Sequence, residues 1–94
     1  MKVLIAYDVC TIQKAGQKRL RQVARACQDY GQRVQKSLFE CSVGPTEWVQ
    51  LQGRLLGLID LKEDSLRFYF LTADLRVEHH GAHVPVDLDG PLVV

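Results

Sequence analysis

With 94 residues, 47% hydrophobic and 24% charged, the chain has the composition of one small globular domain, which excludes the disordered and fibrous classes. No apolar run approaches the ~20 residues that span a bilayer, and the short opening run has neither the basic flank nor the cleavage site of a secretory leader, so a cytoplasmic, membrane-free location is expected. The net charge of +1 hides an asymmetry, because residues 1–36 hold eight Lys/Arg against two acids and residues 37–94 hold four against nine. The first third is therefore either a polyanion-binding region or a solvated helix face whose charges pair with the acidic remainder.

Residues 2–8 read as a strand, rich in Val, Leu, Ile and Tyr and free of Gly and Pro. Alternation puts Val3, Ile5 and Tyr7 on one face and Leu4, Ala6 and Asp8 on the other. After a polar stretch from Thr11, the period becomes helical from about Gly16 to Tyr30. Leu20, Val23, Ala24, Cys27 and Tyr30 form its apolar stripe, Lys18, Arg21 and Arg25 lie opposite, and Lys14 extends that basic row if the helix starts early. Gly31 is expected to end the helix.

Residues 33–42 read as extended, and the break in alternation across Gln35-Lys36-Ser37 predicts a bulge or kink. Gly44-Pro45-Thr46-Glu47 opens a second helix, with Pro at its first position and Glu at its third. Trp48, Leu51, Leu55, Leu58 and Ile59 form its buried stripe, and Asp60 to Asp64 make a charged turn. Residues 65–71 alternate again, with Leu66, Phe68 and Phe70 on one face and Arg67 and Tyr69 on the other. This order fits an α+β domain over residues 1–72, a ferredoxin-like βαββαβ unit with two helices on one face of a four-stranded antiparallel sheet. Residues 73–94 form a surplus tail, with a short strand near Leu75–His79 and an apolar end at Leu92-Val93-Val94. Such a tail suits addition to a sheet edge, including a partner's. So small a core gains from a partner or a dimer.

Several catalytic signatures are absent: the sequence has no GxxxxGK[ST], GxGxxG, HExxH or GxSxG. Cys10, Cys27 and Cys41 are odd in number and lack a CxxC spacing, so they read as small core residues. His79, His80 and His83 read as an exposed turn beside Gly81, with metal ligation as the alternative. Ser37 beside Lys36 reads as a structural serine at a strand kink. Arg67 and Tyr69 either cover the open face of the sheet or contact nucleic acid. Asp8, at the end of an apolar strand, is either a turn residue or a metal ligand. Mg²⁺ is held by one or two carboxylates with waters and phosphates, and Glu40 and Asp64 are candidate second acids.

The segments IAYDV, GQKRLRQVARACQDYGQRVQKSLFEC and LIDLKEDSLRFYFL, with the tail RVEHHG and DLDGPLVV, resemble the CRISPR-associated protein two family over essentially the whole chain. That resemblance implies a ferredoxin-like fold and a symmetric homodimer, in which terminal strands complete each other's sheets. It further implies a part in spacer acquisition, the dimer bridging a partner CRISPR-associated integrase and supporting duplex DNA. Members are also described as metal-dependent endonucleases on single-stranded RNA or double-stranded DNA. Carried onto this chain, it implies Asp8 as the catalytic, metal-binding acid with Tyr7 beside it, and Mg²⁺ or another divalent cation as cofactor. Lys18, Arg19, Arg21 and Arg33 match the family's basic positions, and Ser37 and Phe39 match the polar and aromatic positions of VQxSxFE. Arg25 joins the nucleic-acid-binding set through the helix stripe. Where some members carry a basic cluster soon after the acid, Val9-Cys10-Thr11-Ile12-Gln13 is neutral.

If the first strands approach a two-fold axis, Asp8 meets its own copy, and a divalent cation relieves the repulsion of the two carboxylates. The alternative is a non-catalytic dimeric scaffold that binds duplex DNA and docks the integrase. A small regulatory domain that binds a metabolite is a third reading, and it leaves the charge asymmetry unexplained.

Overall fold

The computed structural model describes residues 1–72 and 74–82. Their elements run β1 (Lys2–Asp8), α1 (Lys14–Gln28), β2 (Gly31–Gln35), β3 (Leu38–Ser42), α2 (Pro45–Leu58), β4 (Ser65–Phe70) and β5 (Arg76–Gly81). They build one antiparallel five-stranded sheet in the order β2-β3-β1-β4-β5. The tail strand read near Leu75–His79 is β5, and it pairs with β4 of its own chain from Ser65↔Gly81 to Phe70↔Arg76. His83 and the apolar Leu92–Val94 lie outside the described residues.

Both helices cover the same sheet face. Val3, Ile5 and Tyr7 of β1, Phe39 and Cys41 of β3, and Leu66, Phe68 and Phe70 of β4 are buried against Val23, Ala26 and Cys27 of α1 and Trp48, Leu51 and Leu55 of α2. Trp48 meets Phe68 and Phe70 edge-on, with ring centroids 4.8 and 5.4 Å apart, an arrangement that adds to simple area burial. Cys27 and Cys41 are fully buried, and burial pushes their thiols up to about 12 and about 11, so they behave as inert core groups.

Helix α1 starts at Lys14, and so Lys14 does join the basic row. Helix α2 begins as its sequence suggests: Pro45 occupies the first position, and the Gly44 N–H donates to Glu47 Oε1 at 3.0 Å. Two local expectations change. The break at Gln35-Lys36-Ser37 is a hairpin turn between two strands, and the register irregularity falls earlier, between Arg33 and Gln35. Gly31 does not stop the helix but opens β2. A Cβ there would collide with the Glu40 carbonyl oxygen and lie 2.6 Å from Cys41 Sγ, so the close approach of β2 to β3 requires glycine.

Candidate functional site

The sheet face away from the helices carries Leu4, Ala6 and Asp8 from β1, Leu38 and Glu40 from β3, and Ser65, Arg67 and Tyr69 from β4. At one end of this face, Asp8 is exposed and sits opposite Ser65. It lines a cleft of about 150 Å³ with Ser65, Arg67, Tyr69 and His79. Arg67 Nη1 donates to the Tyr69 hydroxyl at 3.0 Å, and its guanidinium carbon lies 5.9 Å from the Tyr69 ring centroid. Alongside runs an apolar groove of about 460 Å³, lined chiefly by Leu4, Ala6, Leu38, Tyr69, Leu71 and Leu75.

Tyr7, adjacent in sequence, points the other way because strand neighbours alternate. It is 5% exposed, stacks on Phe39 at 6.1 Å, and donates its hydroxyl to the Lys36 carbonyl at 3.3 Å. Burial raises its phenol above the ordinary range, although Arg33 opposes the shift. The structure gathers Tyr7, Arg33, Ser37 and Phe39 into one cluster at the β2–β3 hairpin. The Ser37 carbonyl accepts the Tyr7 N–H at 3.1 Å, while Arg33 donates to the Lys36 carbonyl at 2.6 Å and lies 4.9 Å from the Phe39 centroid. The structure places two of the sequence candidates in the core, away from the open face. Phe39 is fully buried and offers no surface for a base to stack on, and the Tyr7 hydroxyl anchors the hairpin instead of facing the Asp8 carboxylate.

The basic residues divide as well. Lys14, Lys18, Arg21 and Arg25 are exposed along the outer face of α1, on the opposite side of the sheet from Asp8. Arg25 reaches Asp29 at 3.6 Å. Arg19 is held in an ion pair instead of standing free on the helix surface: its Nε donates to Asp64 Oδ2 at 2.9 Å and its Nη2 lies 3.4 Å from Glu63. Asp64 is the one buried charged residue among those described, at 0% exposure. Besides Arg19 it accepts the N–H groups of Cys10, at 3.0 Å, and Asp60, at 2.8 Å. It is thus saturated and structural. Glu40 sits opposite Leu4 and pairs with Lys2 at 3.1 Å, so neither candidate second acid is brought beside Asp8.

Arg67 was open to two readings in the sequence, and its place in the Asp8 cleft comes from the β1–β4 register, which sets it opposite Ala6. Among the described residues no group of three His, Cys, Asp or Glu forms a metal cluster, and no helix is long and apolar enough to cross a membrane.

Residues 1–77 match the family model described as CRISPR associated protein Cas2. The chain is 55% identical to the CRISPR-associated endoribonuclease Cas2 of Chlorobaculum tepidum, covering 100% of both. It is 53% identical to the CRISPR-associated endonuclease Cas2 of Halalkalibacterium halodurans, covering 99% of both. The crystal structure of Streptococcus pyogenes Cas2 at pH 6.5 superposes with a TM-score of 0.71 at 60% identity, over 77% of this chain and 87% of that one.

Proposed function

The chain belongs to the family of CRISPR-associated protein Cas2, and from that premise we propose that it is an endonuclease acting on single-stranded RNA or double-stranded DNA, working in spacer acquisition alongside a CRISPR-associated integrase. One observation carries this reading. Asp8 stands exposed at the end of the central strand, in a cleft that also holds a guanidinium, an imidazole and two hydroxyls. The apolar groove beside it suits a second copy, since a two-fold pairing sets each face against itself. We read the order β2-β3-β1-β4 as a ferredoxin-like unit to which β5 has been added.

The donor set fits a hard divalent cation such as Mg²⁺ as a shared site. Each copy would offer one Asp8 carboxylate, and water and phosphate oxygens would complete the shell. Bound there, the cation supplies charge neutralisation at the scissile phosphate and a more acidic water. The chain's own residues do the rest. The Asp8↔Ser65 rung presents the carboxylate on the open face. Tyr7 and Ser37 tie the same strand end to the hairpin, which fixes its position.

The test is cleavage of both nucleic acids with Mg²⁺ and after chelation, with sedimentation of the same sample. Cleavage is expected only from a dimer and only with the ion. Equal cleavage in excess chelator overturns the reading.

A second reading, a dimeric scaffold that holds duplex DNA without cutting it, is favoured by the α1 stripe. Its cations are exposed and face away from Asp8, and exposed cations of this kind bind phosphates without reading sequence. Reversing Arg21 and Arg25 to Glu is expected to weaken duplex binding about tenfold or more and to lower the slope of log affinity against log salt by about 0.9 per lost contact. An unchanged slope reduces the stripe to a solvated helix face.

A further inference from the structure

We infer that Arg67 is the residue of the Asp8 cleft that binds the substrate phosphate, an assignment that rests on the nuclease reading and gives it a substrate contact. The register places Arg67 opposite Ala6 on β1 and opposite His79 on β5. It therefore shares the open face with Asp8, one rung along. Diagonal neighbours on one face of an antiparallel pair lie roughly 7–8 Å apart, within reach of a long side chain. Both residues line the same cleft.

The chemistry calls for such a group. A cation shared by two Asp8 carboxylates leaves little net positive charge, so seating a phosphodiester in the cleft calls for a further positive group on the same face. The fold commits the other basic candidates elsewhere: Arg19 to Asp64, Arg33 to the hairpin carbonyl, and Lys18, Arg21 and Arg25 to the far side of the sheet. Arg67 is also pre-organised. Its bond to the Tyr69 hydroxyl uses one of five guanidinium donors and sets the plane of the fork. That planar fork matches two oxygens of one phosphate, which an ammonium cannot do. Tyr69 is the positioning residue, acting on substrate through Arg67.

The test compares Arg67→Gln and Arg67→Lys with wild type in single-turnover cleavage of RNA and duplex DNA with Mg²⁺, and follows thermal midpoints in parallel. Arg67→Gln is expected to slow cleavage about 100-fold, the scale for losing one pre-organised donor to a developing anion. Arg67→Lys recovers part of the rate, because it keeps the charge and loses the fork, and neither variant lowers the midpoint. Cleavage by Arg67→Gln within about threefold of wild type overturns the assignment, judged against that same scale. So does an equal loss in both variants accompanied by lower midpoints, which marks a packing role.

A metal-free arm separates this claim from the nuclease reading. In chelator, the affinity of Asp8→Asn for a short single-stranded oligonucleotide is compared with that of Asp8→Asn/Arg67→Gln. The double variant is expected to bind about tenfold more weakly, with a salt slope smaller by about 0.7. Identical affinity and slope overturn the Arg67 contact. If wild type never cleaves, the nuclease reading falls, and this arm alone decides Arg67.

Discussion

Replacing Asp64 by Ala is expected to cost about 3–5 kcal/mol of folding stability, the range for breaking a buried ion pair by removing one partner. The side chain is fully buried, and its two oxygens together accept the Cys10 and Asp60 N–H groups and two Arg19 nitrogens. Alanine strands two backbone donors and leaves Arg19 with only Glu63 at 3.4 Å. Domains of this size are stable by about 5–15 kcal/mol, so the variant sits near the edge of folding. Denaturant unfolding reads the loss, and a midpoint within error of wild type rejects the assignment.

The same carboxyl gives a pH signature. Burial pushes its pKa up, but the Arg19 bond and the Asp60 and Cys10 N–H groups outweigh that and hold it below the ordinary 3.8. A depressed folded-state pKa contributes stability that is fully present above the unfolded value. That stability drains away as pH falls through the unfolded value toward the folded one. Wild type should therefore lose stability below about pH 4 more steeply than Asp64→Ala does. Parallel acid limbs in the two proteins count against this account.

Asp8→Asn is expected to do the reverse, abolishing cleavage while leaving the fold intact. Asp8 is exposed at a strand end, where a substitution of the same shape shifts stability by within about 0.5 kcal/mol. Asparagine keeps the hydrogen-bonding outline but removes the charge that a hard cation needs. In a shared site the change strikes both ligands at once, so no second carboxylate compensates. The cleavage rate should fall by about three orders of magnitude, on the order of 4 kcal/mol of transition-state stabilisation. Single-turnover assays beside a chemical denaturation curve separate the two effects. Undiminished cleavage by the variant would falsify the placement of the chemistry at Asp8.

What was legible in the sequence follows from how local its cause is. The period-2 runs of β1 and β4 and the apolar stripes of α1 and α2 are near-neighbour patterns, and all four elements stand where those patterns put them. The Pro45–Glu47 helix start is also local chemistry. The hairpin at Lys36–Ser37 reads in the sequence as a kink in one extended segment, because a tight turn and a bulge interrupt alternation alike.

The site residues whose surroundings the sequence leaves undecided depend on contacts far along the chain. Asp64 sits in a charged turn that looks solvated, yet its partners Arg19 and Cys10 lie 45 and 54 residues away. Phe39 alternates with Cys41, and their shared parity put it on the helix face once β3 had paired with β1. Arg67 needed the same information in reverse. Only the register between strands about sixty residues apart sets it beside Asp8.

The α1 cations and the Asp8 cleft lie back to back on the two sides of the sheet. If two copies meet through their open faces, both stripes end on the outside of the pair, pointing apart. Such a particle is bivalent toward phosphate. A nucleic acid engaged by one stripe meets the other at an effective concentration fixed by its own length and stiffness. Duplex DNA stays stiff over about 150 base pairs, so a short fragment cannot bend around the particle and would engage one stripe at a time, while a single strand could reach both. One pair would then hold two short duplexes on opposite outer faces, whatever sequence they carry.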